Sequence, residues 1–143
     1  MTTKTIQLDI VSAVAPIFSG PVQHLIVTGK AGELGIFPGH TALLTALKPG
    51  QITAKLANGD EEVFYISGGM LEVQPELVTV LADSALRAHD IDEAAALAAK
   101  ERAEKILGDQ KESIQYAGAA TELAEAAAQL RALQSIRKLA NRS

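Results

Sequence analysis

The feature that most constrains this chain is a change of hydrophobic period near residue 83. Before it, apolar residues recur at every second position, as in Ile6, Leu8 and Ile10, then Leu25 and Val27, then Ile52, Ala54 and Leu56. A period of two places one face of a strand in a core and the other toward water. Residues 63–66 and 77–81 are further β-prone runs. Turn residues fall between the runs: Ser19-Gly20-Pro21, Gly29, Pro38-Gly39, Pro49-Gly50, Asn58-Gly59, Gly68-Gly69 and Pro75-Glu76. Asn58-Gly59 between two alternating runs is the strongest hairpin signal. Many short strands at close turn spacing predict a β-sandwich or small barrel rather than a parallel α/β sheet.

After Asp83 the period becomes that of a helix. Residues 91–107 contain neither Gly nor Pro and are rich in Ala, Leu, Glu and Lys, the strongest helix formers. Asp90, with Glu93 three residues on, is the expected N-cap, and Gly108 the expected stop. A second helix is expected from about Thr121 to Ala140, with Leu123, Ala126, Leu130, Leu133, Arg137 and Ala140 on one stripe. The segment 108–120 would join the two helices into an antiparallel hairpin. Their facing stripes are mostly alanine, and a buried methyl group contributes only about 0.8 kcal/mol. Such a hairpin could stay docked or could open while remaining helical.

Composition narrows the function. The 143 residues carry a net charge of −4. Residues 1–83 hold four Lys and eight acids, and residues 84–143 hold nine basic and nine acidic residues. No basic field suited to nucleic acid results. After Glu125, the last acid, come Arg131, Arg137, Lys138 and Arg142. These cations suit a helix C-terminus and equally suit an acidic partner. The chain has no cysteine, which excludes disulfides and thiolate metal sites. The N-terminal stretch alternates instead of forming the apolar run of a signal peptide. No run approaches the roughly 18 apolar residues of a membrane span, so a soluble, cytoplasmic chain is expected.

Catalytic groupings are missing from the sequence. His24, His40 and His89 are far apart and form no zinc spacing. Ser67 lacks the glycines of a nucleophile elbow, and Gly29-Lys30 lacks the spacing of a phosphate loop. Asp60-Glu61-Glu62 reads as a solvated turn before it reads as a cation site. The stretch Gly32-Glu33-Leu34-Gly35-Ile36-Phe37-Pro38-Gly39-His40 reads instead as a rigid contact loop. It is expected to present Glu33 at its tip, its shape resting on Gly35 and Pro38 more than on the charge. An adaptor sandwich and a small enzyme with an unseen site are the competing classes.

The 32–40 stretch, residues 67–75 (SGGMLEVQP), residues 78–83 (VTVLAD) and the Ala-rich tail together resemble the epsilon-subunit family of bacterial F-type ATP synthases, from end to end. The resemblance implies an α+β chain: an antiparallel β-sandwich of about ten strands over residues 1–84, then a two-helix antiparallel hairpin over residues 85–143. It implies a non-catalytic central-stalk subunit on the cytoplasmic face of the plasma membrane, held there only through its complex. The sandwich would bind the gamma subunit. Gly32, Glu33, Leu34, Gly35, Phe37, Pro38 and His40 would face the c-ring, with Glu33 and His40 at one end of the sandwich. The hairpin, once extended, would reach the alpha and beta subunits and inhibit ATP hydrolysis through Arg131, Arg137, Lys138 and Arg142. Some family members bind ATP on the hairpin. Here Ile91, Asp92 and Arg102 match that pattern, but Ala95 stands where it has an arginine, so weak ATP binding or none is expected. No other cofactor and no metal is implied.

Overall fold

A computed structural model describes residues 4–29, 31–109 and 113–141, with no side-chain description for residues 109, 113–116 and 141. Among the described residues, eight strands precede two helices. They are β1 (Ile6–Ser12), β2 (Pro16–Gly29), β3 (Gly32–Ile36), β4 (Leu43–Leu56), β5 (Glu61–Ile66), β6 (Gly69–Val73), β7 (Leu77–Ala82) and β8 (Ala85–Arg87). A single 3-10 turn (Ala88–Asp90) leads into α1 (Glu93–Asp109) and α2 (Ser113–Asn141).

The strands form one continuous sheet in the order β3-β2-β1-β7-β6-β4-β5-β8, and a β2–β4 pairing closes it into a flattened, barrel-like sandwich. The expected ten strands become eight because β2 and β4, each 14 residues long, serve both layers. β2 pairs with β1 through residues 16–22 and with β4 through residues 22–29. β4 pairs with β6 through Leu43–Leu47 and with β5 through Gly50–Lys55. Gly20-Pro21 and Pro49-Gly50, expected as turns between strands, are bends within them, the device by which a strand changes layer. At the second bend the layers come so close that a Cβ on Gly50 would lie 2.6 Å from Cβ of Thr28. The sheet is not purely antiparallel either, since β1 and β7 run parallel. A long excursion of the chain separates them, which a hairpin could not provide.

The alternation seen in the sequence is the burial pattern. Ile6, Leu8, Ile10, Leu25, Val27, Ile52, Ala54, Leu71, Val78 and Val80 all point into one core. Asn58-Gly59 forms the β4–β5 hairpin, with Asp60 N–H donating to Asn58 Oδ1 at 3.0 Å. The sheet also runs beyond the expected boundary at residue 84, because β8 pairs with β5.

α1 has the expected length of 17 residues but lies two residues further on, and α2, at 29 residues, is longer than expected. Gly108 lies within α1 and Gly118 within α2. A mid-helix glycine costs only about 1 kcal/mol relative to alanine, which the Ala-rich flanks can offset. The cap is Asp92 rather than Asp90: its Oδ1 accepts the Ala95 N–H at 3.1 Å, and its carbonyl accepts the Ala96 N–H. Asp90 is instead taken up by the 3-10 turn. Contacts of Glu93 with Arg137 and of Arg102 with Glu122 show that the helices run antiparallel. Alanines line their seam, among them Ala96, Ala103, Ala119 and Ala126.

Candidate functional site

Residues 32–36 are a strand, not a loop. β3 pairs with β2 along its length, from Gly29↔Gly32 to Leu25↔Ile36, and stands at an end of the sheet order. Glu33 therefore sits beside the β2–β3 connection, and its side chain lies on the outer face with Thr28 opposite. A tight turn follows at 37–40, where His40 N–H donates to the Phe37 carbonyl at 3.1 Å. Gly39 N–H donates to Pro75 in the β6–β7 turn at 2.9 Å. Gly32 and Gly39 hold positive φ, of 131° and 83°, whereas Gly35 does not, which corrects the expectation placed on it. Phe37 is exposed and stacks at 5.2 Å on the His24 ring. Leu34 and Pro38 are half-buried.

A second surface was not anticipated. Register places Val11 opposite Leu81, Leu81 opposite Met70, and Met70 opposite Ala46 on the outer face of β1, β7, β6 and β4. Their exposures are 36% for Val11, 54% for Leu81 and 39% for Met70, and nearby Leu44 reaches 67%. Contiguous apolar surface of this kind marks an interaction face. The signal was present in the sequence as adjacent apolar pairs: Ile10-Val11, Leu43-Leu44, Met70-Leu71 and Val80-Leu81. A strand with water on one side needs only one apolar member of each pair.

The third surface is the seat of the hairpin. α2 lies across β4 and β5 and closes a second, smaller core of Val63, Tyr65, Ala88, Ile91, Ala128, Ala132 and Leu133. Around it the contacts are polar. Gln51 Nε2 donates to Ser135 Oγ at 3.1 Å. Burial pushes the Tyr65 phenol up to about 12, and the Glu125 charge adds to this, while the Gln129 side chain opposes it. Glu125 is itself raised above its ordinary value, first by burial and then by Glu122 and Asp83.

The expected basic end is partly engaged. Arg137 forms an ion pair with Glu93 across the hairpin, which holds its guanidinium protonated to higher pH than usual. Arg131 and Lys138 are exposed, while Arg142 lies outside the described residues. Lys100, Arg131 and Arg137 rim a cleft of about 310 Å³ between the helices. The residues matching a nucleotide pattern have structural partners: Ile91 is in the second core, Asp92 caps α1, and Arg102 pairs with Glu122. Among the described residues no group of three His, Asp or Glu could hold a metal ion. No helix among them is long and apolar enough to cross a membrane.

Comparison with known proteins agrees with this division of the chain. Residues 5–88 match the ATP synthase, Delta/Epsilon chain, beta-sandwich domain family, and residues 89–134 the corresponding long alpha-helix domain family. An ATP synthase epsilon chain of Nitrosococcus oceani is 58% identical over 134 residues, covering 94% of this chain and 96% of the relative. That of Chromohalobacter salexigens is 54% identical over 136 residues, covering 95% and 96%. Among solved structures, a chain of the Euglena gracilis mitochondrial ATP synthase, in its OSCP/F1/c-ring assembly, superposes with TM-score 0.81 at 23% identity, covering 90% of this chain and 81% of its own. A central stalk/c-ring structure from Tetrahymena thermophila gives 0.61 at 12% identity, covering 93% and 99%. At those identities the two structures speak for the fold alone. The sequence matches speak for more: this chain belongs to the ATP synthase delta/epsilon family, as an epsilon chain and a non-catalytic stalk subunit of the F-type complex.

Proposed function

We propose that this epsilon chain seats its gamma subunit on the apolar row of Val11, Leu81, Met70 and Leu44, and so joins the rotor. The observation that carries this reading is the row itself, exposed in a chain of net charge −4. Side chains left in water at that density gain about 25 cal/mol for each Å² they bury against a partner. Leu81→Asp is the direct test, because more than half of Leu81 is exposed and the fold does not depend on it. A carboxylate inside that contact is expected to weaken co-purification with gamma at least about tenfold, the cost of burying an unpaired charge. Undiminished gamma binding by Leu81→Asp would overturn the assignment.

The segment around Glu33 and the turn 37–40 meets the c-ring, with the exposed Glu33 carboxylate and the Phe37 ring as the contacts that solvent leaves free. The chain works at the cytoplasmic face of the bacterial plasma membrane, held there through the complex. The hairpin leaves its seat and reaches the alpha and beta subunits, where Arg131 and Lys138 meet acidic surface and ATP hydrolysis is inhibited. The small alanine core and polar rim of that seat support this motion. Removing the residues after Arg87 from the assembled enzyme is expected to raise ATP hydrolysis, and an unchanged rate would count against inhibition.

A further inference from the structure

We propose that Arg87 is the fixed post on which the hairpin swings, so that the moving unit begins at Ala88 and β8 stays in the sandwich. The inference rests on the mobile hairpin proposed above and adds the point at which the chain divides.

Two independent observations meet at this residue. The first is the setting of its side chain. The Arg87 guanidinium lies 5.4 Å from the centroid of Phe64 and 5.9 Å from that of Phe18. Those rings are themselves packed edge to face at 5.4 Å. Arg87 also forms an ion pair with Glu62 and donates Nη2 to the Ile17 carbonyl at 3.1 Å. Every one of these partners belongs to β2 or β5, and none to the hairpin. A planar guanidinium can stack on aromatic faces and still use its edge for a carboxylate and a carbonyl, which a lysine ammonium cannot.

The second observation is that the two cores divide at this point in the chain. Ala85, two residues before Arg87, belongs to the main sandwich core, and Ala88, one residue after, belongs to the hairpin seat. β8 is only three residues long and pairs with β5 alone. A ladder that short would peel away with the hairpin if nothing else held its end. Arg87 supplies the hold at the last residue of the strand, immediately before the turn that must change direction. The residues free to pivot are then 88–92, between that anchor and the Asp92 cap.

The absence of native cysteine makes a thiol-labelling test clean. Single substitutions Ala54→Cys, Ala85→Cys, Ala88→Cys and Ala132→Cys each bury a small thiol in the full-length chain, since all four alanines are at most 7% exposed. Labelling then requires opening, and its rate reports which cooperative unit each site belongs to. Ala88→Cys and Ala132→Cys are expected to label together and fast, and Ala85→Cys slowly with Ala54→Cys. Adding Arg87→Gln should move Ala85→Cys toward the fast pair by about tenfold or more relative to Ala54→Cys, and Arg87→Lys should have an intermediate effect. Reading Ala85→Cys against Ala54→Cys removes any general loss of stability. If Ala85→Cys labels with Ala88→Cys while Arg87 is intact, the boundary is elsewhere and the proposal fails. It fails equally if Arg87→Gln leaves Ala85→Cys slow. A single common rate for all four sites would refute the mobile hairpin as well.

Discussion

Gly69→Ala should be among the most damaging single-methyl changes in this chain, and the reason can be worked from two features of the site. Gly69 holds φ at +146°, in a region that L residues with a Cβ avoid. Holding alanine there costs about 1–3 kcal/mol. In addition, the new Cβ would lie 2.0 Å from the Leu81 carbonyl oxygen and 2.9 Å from Ala82 Cα, both backbone atoms of β7. Relief requires roughly 1 Å of strand displacement, since carbon and oxygen do not approach within about 3 Å. Gly69 is paired with Ala82 on one side and Leu47 on the other. Displacement therefore weakens ladder hydrogen bonds worth about 0.5–1.5 kcal/mol each. The sum is about 3–5 kcal/mol, a large part of the roughly 5–15 kcal/mol that holds a typical domain together. Urea unfolding followed by circular dichroism reads this directly. With a slope near 2 kcal/mol/M, the midpoint should fall by about 1.5 M or more. Gly35→Ala is the internal control: φ is not positive there, and the added Cβ meets only the Phe37 ring edge at 3.7 Å. It should change stability by less than about 0.5 kcal/mol. A Gly69→Ala midpoint within error of Gly35→Ala would refute the argument from backbone approach.

Chain length offers a second test: a chain ending at Arg87 should fold as a sandwich, whereas one ending at Ser84 loses β8 and bares the edge of β5. Its urea midpoint should be measurably lower, and equal midpoints would deny β8 a structural role. The third test is pH dependence of hairpin docking. Glu125 has its docked-state value raised, so the docked state binds its proton more tightly. Docking is then strongest below the ordinary value of 4.5 and weakens as pH rises through the raised one. A sandwich-to-α2 distance measured across that window should show the trend, and Glu125→Gln should flatten it. Finally, titration calorimetry with Mg-ATP should find weak binding or none, because Ala95 offers no guanidinium and Arg102 is paired with Glu122. Ala95→Arg should bind about ten- to hundredfold tighter, the value of charged hydrogen bonds worth about 1.5–3 kcal/mol. Micromolar binding by the unaltered chain would contradict this.

The parts of the fold legible in the sequence were those set by local chemistry. Alternation at Ile6-Leu8-Ile10 and Ile52-Ala54 marks buried strand faces because side-chain direction has a period of two. Asn58-Gly59 specifies its own turn. What local chemistry leaves open is whether a Pro-Gly pair reverses the chain or only bends it. Pro49-Gly50 bends β4 because Thr28 of another strand presses against it, a contact 22 residues away in sequence. The same limit explains β3. Residues 32–36 carry two glycines, which weaken a strand by propensity, yet pairing with β2 holds them extended. The sequence favours Asp90 as the cap because Glu93 stands three residues on, yet the choice falls to Asp92 because Ala88 and Ile91 are drawn into the hairpin seat. The apolar row on the outer face was also written in the sequence, as apolar pairs at consecutive positions. It was missed because a doubled apolar position reads as stronger burial until the topology shows which face is bare.

Alanine then connects composition to mechanism. Of the hairpin's side of the second core, Ala88, Ala128 and Ala132 each contribute one methyl group, Ile91 and Leu133 are the large buried side chains, and Ile136 and Leu139 pack against it half-buried. At about 0.8 kcal/mol per methyl and about 1.5–3 kcal/mol per large side chain, the five buried residues contribute roughly 5–8 kcal/mol before ordering costs are subtracted, and Ile136 and Leu139 add a part of a large side chain each. The helices lose little else on leaving, since their backbone hydrogen bonds are internal and alanine has the highest intrinsic helix propensity. A leucine-rich hairpin would bind its seat too firmly to leave, and a glycine-rich one would melt when it did. Alanine avoids both: it packs weakly against the sandwich and still holds a helix in water. The sandwich has the opposite design, with a dry core of Ile, Leu and Val, and the cage around Arg87 marks where one regime ends and the other begins.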